Sequence, residues 1–111
     1  MALSSYRELN VWQRAIDLTE EIYSLTANYP KHELYGLTSQ MRRAAVSVAA
    51  NIAEGHGRSS TREYLHHLAY SIGSIAELET HLTISVRLAY VNQTQAEGNF
   101  RGLQYLRSNA S

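Results

Sequence analysis

The sequence predicts an all-α fold: one domain over residues 1–111, an antiparallel, up-down-up-down four-helix bundle. Three observations predict it. Apolar residues recur every three or four positions in four separate segments, the spacing of amphipathic helices. Chain breakers fall between those segments. No run of strand period competes, because Val46-Ser47-Val48 alternates only briefly inside a stretch of helix-favouring alanines.

The four helices are expected at roughly residues 9–28, 33–55, 60–90 and 94–108. The first carries Trp12, Ala15, Ile16, Thr19, Ile22 and Tyr23 on one stripe, with Trp12 read as core. It stops before Pro30, the only proline. The second carries Leu34, Leu37, Met41, Ala44, Ala45, Val48 and Ile52, and Gly55 suits a left-handed cap at its end. The third runs Leu65, Leu68, Ile72, Ile75, Leu78, Leu82 and Val86. The fourth is weaker, with Ala96, Phe100, Leu103 and Leu106, and its polar end from Ser108 to Ser111 is expected to fray. Ser60-Thr-Arg-Glu63 and Thr94-Gln-Ala-Glu97 both fit the capping box, and Ser5-Tyr-Arg-Glu8 is a third match. Short links between long helices require antiparallel neighbours.

Composition narrows the function. With 44% apolar and 18% charged residues the chain is neither disordered nor supercharged. Its net charge is zero, which excludes a uniformly basic nucleic-acid binder but not a local patch. The absence of cysteine removes disulfides, thiolate metal sites and thiol nucleophiles. The opening Met1-Ala-Leu-Ser-Ser lacks the pattern of a secretory leader, and the blandest stretch, residues 44–53, is too short to cross a membrane. A cytoplasmic protein without membrane contact and without a cofactor is expected.

Several stretches, taken in order, carry a family likeness. They are Leu9-Asn-Val-Trp-Gln13, Tyr29-Pro-Lys-His-Glu33, Tyr35-Gly-Leu-Thr-Ser-Gln40, Arg42-Arg-Ala-Ala-Val-Ser47, Asn51-Ile-Ala-Glu-Gly55, Ser71-Ile-Gly-Ser74 and Ala76-Glu-Leu-Glu79. Over roughly residues 6–106 the chain resembles the four-helix-bundle family first met as reading frames inside intervening sequences of bacterial large-subunit ribosomal RNA genes. The resemblance implies a ring-like homopentamer. Relatives include the accessory variability protein of diversity-generating retroelements, which binds nucleic acid and its reverse transcriptase through a markedly basic surface that this neutral chain lacks.

Residues 40–62 hold Arg42, Arg43, Arg58 and Arg62 against Glu54 alone, so positive charge gathers on helix two and the turn after it. These four are the candidate contacts to RNA or DNA, since guanidinium suits phosphate and a ring would repeat the patch. The competing reading pairs Arg42 and Arg43 with acids inside the assembly. Gly55-His-Gly-Arg-Ser-Ser60 admits a phosphate-loop reading, with Arg58 and Ser60 the positions concerned, but two successive caps explain it as well. Helix two also bears a polar stripe of Gln40, Arg43, Ser47, Asn51 and Glu54, facing a second stripe of His67, Ser71, Ser74, Glu77 (or Leu78) and His81 on helix three, where Arg43 is expected within reach of Glu77. The helix-two stripe, with Ser74 and Glu77, supplies the candidate oligomer or interhelix contacts. Small residues around helix two favour a central position touched on several sides.

Two enzymatic patterns are incomplete. Glu63-Tyr-Leu-His66 has the spacing of carboxylate-bridged di-iron bundles, but Glu77 to His81 is one residue too long for the second pair. Asp17 is the only aspartate, which leaves no Ser-His-Asp triad in prospect. Among eight tyrosines, Tyr29, Tyr35, Tyr64 and Tyr70 are expected at interfaces or stacked on bases. Asn92-Gln-Thr94 matches a glycosylation sequon and is read as a turn with a cap. The function expected is non-catalytic: a pentameric binding or scaffold protein whose partner is RNA or DNA, or else another protein, with a metal-dependent bundle enzyme on Glu63, His66, Glu77 and His81 as the remaining alternative.

Overall fold

A computed structural model describes residues 5–110. The opening Met1–Ser4, read above for a leader, and the last residue of the polar tail, Ser111, lie outside the described residues. Four helices follow in order: α1 (Asn10–Thr26), α2 (Ser39–His56), α3 (Thr61–Arg87) and α4 (Gln93–Ala110). Short 3-10 turns at Tyr6–Glu8 and Lys31–Glu33 precede α1 and α2, and there is no strand among the described residues.

Local chemistry sets the boundaries, and in several places differently from the sequence reading. Helix two does not begin as an α-helix at residue 33. Leu34–Thr38 forms a π turn instead, in which the Glu33 carboxylate accepts the Leu37 amide at 3.3 Å. Gly55 is no left-handed cap: α2 runs through it, and no glycine among the described residues has positive φ. Its missing side chain serves packing, since a Cβ there would stand 3.2 Å from the Cβ of His67. Ser60 caps α3 as expected, accepting the Glu63 amide at 3.1 Å. The cap of α4 lies two residues earlier than Thr94: the Asn92 side chain accepts the Gln95 amide at 2.8 Å, and the Gln95 side chain accepts the Asn92 amide at 3.2 Å.

At the end of α3, Tyr90 donates to the Ser85 carbonyl and Ala89 to the Val86 carbonyl, each at 3.0 Å. That is the Schellman pattern, which needs a left-handed residue where glycine is usual. Ala89 fills it with φ 62°, and its Cβ carries a cost of about 1 kcal/mol or more. Ala89→Gly is therefore expected to raise stability by about 1 kcal/mol, seen as a higher urea midpoint at unchanged slope.

Each helix packs on the next and α4 returns to α1, which closes a four-helix bundle measuring 45 × 23 × 18 Å. The fully buried side chains come from every helix: Ile22, Met41, Ile75, Leu78, Leu82, Leu103 and Leu106. Trp12 is half-buried at the rim, edge-on to Tyr6 at 5.2 Å, rather than central. The most extensive seam joins α2 and α3, where the fully buried Ser71 reaches the Val48 backbone, while the Ala45 carbonyl on α2 is met by Thr19 of α1. No helix among the described residues is long and apolar enough to cross a membrane.

Candidate nucleic-acid interface

The two polar stripes meet within the chain along this seam. Ser74 donates to Ser47 at 2.9 Å, and the Asn51 amide donates to the Ser47 carbonyl at 2.9 Å and hydroxyl at 3.1 Å. The Asn51 carbonyl oxygen lies 3.0 Å from His67 Nδ1, and Glu54 stands 3.5 Å from the same nitrogen. Ser71 donates to the Val48 carbonyl at 2.8 Å from a fully buried position. His67, on the helix-three polar stripe with Ser71 and Ser74, is the residue that joins Asn51 and Glu54 across the seam. Glu77 turns to His81 one turn along its own helix, 3.3 Å away, and makes no ion pair with Arg43. Gln40 and Arg43 are exposed on the outer side of α2.

The four arginines divide. Arg42 is held inside the chain: its Nε donates to Thr26 Oγ1 at 2.9 Å, and its guanidinium sits 4.6 Å above the Tyr23 ring. Arg43, Arg58 and Arg62 are exposed, and their guanidinium groups form no hydrogen bond or ion pair with the described residues. Arg58 and Arg62 border a hollow of about 490 Å³ shared with Glu63, His66 and His67. Arg43 stands apart from them, roughly 20 Å along α2 at 1.5 Å per residue. The positive charge is thus two groups rather than one patch. Ser60, the other phosphate-loop candidate, accepts the Glu63 amide with its hydroxyl oxygen as the cap of α3.

The carboxylate–histidine pairs do not converge. Glu63 and Glu77 are fourteen residues apart on one helix, about 21 Å. Among the described residues no group of three or more His, Cys, Asp or Glu side chains could hold a metal ion. Of the tyrosines, Tyr29 is buried against Tyr90 at 5.4 Å between ring centres, while Tyr35, Tyr64 and Tyr70 are exposed.

Two features carry no clear sequence signal. The Tyr90 hydroxyl donates to Glu33 across fifty-seven residues at 2.9 Å, with His32 Nε2 at 3.3 Å from the same hydroxyl. The Tyr90 hydrogen bond and the Leu37 amide hold the Glu33 carboxyl below its usual range, and Glu33 in turn raises the Tyr90 hydroxyl. A lowered carboxyl contributes stability above its unfolded pKa and loses it as pH falls through the folded one. Tyr90→Phe is therefore expected to open a stability gap at neutral pH that narrows as pH falls below the ordinary glutamate range, about 4.3, in urea titrations. The second feature is an open groove of about 700 Å³ between α1 and α4 bordered by Asp17, Glu20 and Glu21, where the Asn99 amide donates to Glu21 at 3.2 Å.

Residues 7–108 match the family model described as 23S rRNA-intervening sequence protein. The chain belongs to that family. A solved structure of similar shape is that of a protein of unknown function from the S23 ribosomal protein family of Bacteroides thetaiotaomicron. It superposes with a TM-score of 0.81 over 90% of this intervening-sequence protein and 94% of its own chain. At 19% identity that likeness speaks for the fold alone. No curated protein matches the sequence.

Proposed function

We propose that this intervening-sequence protein is a non-catalytic binding protein, an antiparallel up-down-up-down bundle that assembles as a homopentamer and holds RNA or DNA by its phosphates. The antiparallel order is supported by the seam, where partners fall from Asn51 to Met41 on α2 as they rise from His67 to Ser85 on α3. Assembly is supported by apolar side chains left on the outside, among them Val46 on α2 and Ile84 on α3.

The observation that carries the nucleic-acid reading is that three arginines of the charge-rich stretch 40–62, Arg43, Arg58 and Arg62, are unpaired. Each extends into solvent without an acidic partner among the described residues, and a ring multiplies the resulting field. Arg42 has no part in it, because its guanidinium is committed to Thr26 and Tyr23.

Anisotropy of a labelled RNA titrated with the protein at rising KCl tests the reading. Affinity is expected to fall steeply with salt, and each arginine-to-alanine change at positions 43, 58 and 62 should flatten the log–log slope by about 0.7–0.9 for every phosphate it frees. Undiminished affinity in the triple variant would reject binding through these arginines, and failure of the protein to bind RNA at all would reject nucleic-acid binding. A protein-scaffold reading would then stand, favoured by Tyr35, which is 92% exposed at the opposite end of α2 from Arg58. For that reading, Arg43→Ala or Glu77→Ala should change the oligomer mass in light scattering.

A further inference from the structure

The first turns of α3 are unlike any other part of the bundle. Every residue from Gly57 to His66 is exposed, including the large side chains of Tyr64 and Leu65. Arg62, His66 and Tyr70 follow one another at every fourth position, so they form one row with a rise of about 6 Å between members. His66 and Tyr70 meet edge to face, with ring centres 4.6 Å apart. The row runs out onto Gly73, where nothing lies within 4 Å of the position a Cβ would take. Arginine, two rings and a bare backbone thus make a continuous strip open to solvent.

Charge alone does not explain what such a strip would hold. Glu63 faces the same hollow as Arg58 and Arg62, and the whole chain is neutral. A duplex offers phosphates and hides the faces of its bases, so it could use only the weaker half of the strip. An unpaired strand offers both phosphates and flat rings, and base stacking on aromatic side chains tolerates any sequence.

We infer that the ligand is a single-stranded nucleic acid, its phosphates on Arg58 and Arg62 and its bases against His66 and Tyr70. This rests on the proposed nucleic-acid reading and narrows it to one strand form and one row of residues. Because stacking is only partly electrostatic, part of the affinity should survive salt that removes the phosphate contacts.

The test uses the full chain and three fluorescein-labelled probes of equal length: oligo(U), oligo(dT) and a blunt mixed-sequence RNA duplex. At least one of the two single strands is expected to bind about tenfold more tightly than the duplex. Tyr70→Ala should weaken that binding about tenfold, the loss of one base stack, while Tyr70→Phe keeps it. Tyr70 is 54% exposed, and a melting curve for each variant separates lost binding from lost fold. A duplex bound as tightly as both strands, or a Tyr70→Ala variant of unchanged affinity, overturns the inference while arginine-dependent phosphate binding stands. Failure of all three probes to bind overturns both.

Discussion

Leu82→Ala is expected to cost about 2–5 kcal/mol of folding stability, whereas Leu65→Ala on the same helix and the same sequence stripe costs under about 0.5 kcal/mol. Leu82 is fully buried among helices, so its truncation strips away apolar packing and leaves a cavity that the packed neighbours only partly close. Leu65 is 54% exposed near the start of α3, and its truncation leaves no void. Urea unfolding of both variants checks the pair. Equal losses would mean that something in the folded protein covers the first turns of α3.

The second large effect is expected at Ser71. Its side chain is fully buried, and its hydroxyl lies 2.8 Å from the Val48 carbonyl, so α2 and α3 approach as closely as a serine permits. Ser71→Leu forces a much larger, branched side chain into that gap and should cost about 1–3 kcal/mol. Ser71→Ala loses only a hydrogen bond, about 0.5–1.5 kcal/mol, and leaves the spacing unchanged. Thermal melts of the two variants should therefore rank wild type, alanine, leucine. A leucine variant as stable as wild type would show that the seam can widen freely.

The bundle itself was legible because helical burial repeats every three or four residues, a signal contained within each segment. Ser60 was legible for the same reason: a cap reaches only three residues along the chain. The misplaced caps have local causes as well. At the start of α4, Asn92 with Gln95 outcompetes Thr94 with Glu97, and both pairs offer the same kind of reciprocal cap. Gly55 looked like a terminator because glycine commonly ends helices, yet its role is to admit α3, which a one-helix reading does not contain.

The candidate interface was legible only in part. Ser47, Asn51 and Ser74 share a polar seam by their spacing; Ser74 bonds Ser47 across it, while Asn51 bonds Ser47 along its own helix. The arginines could not be sorted that way. Arg42 and Arg43 are neighbours in sequence but about 100° apart around the helix, which turns one toward Tyr23 on α1 and the other to solvent.

From its sequence alone the protein is determined to be helical, with the apolar stripe of each helix and most chain reversals in place, because those depend on residues a few positions apart. Tertiary structure alone decided which arginines remain unpaired, that Tyr29 is buried while Tyr70 is open, and that the first turns of α3 stand uncovered. Each of these depends on what another helix brings alongside, across separations of sixteen residues for Arg42 and Thr26 to sixty-one for Tyr29 and Tyr90. No periodicity within a segment encodes contacts at that range.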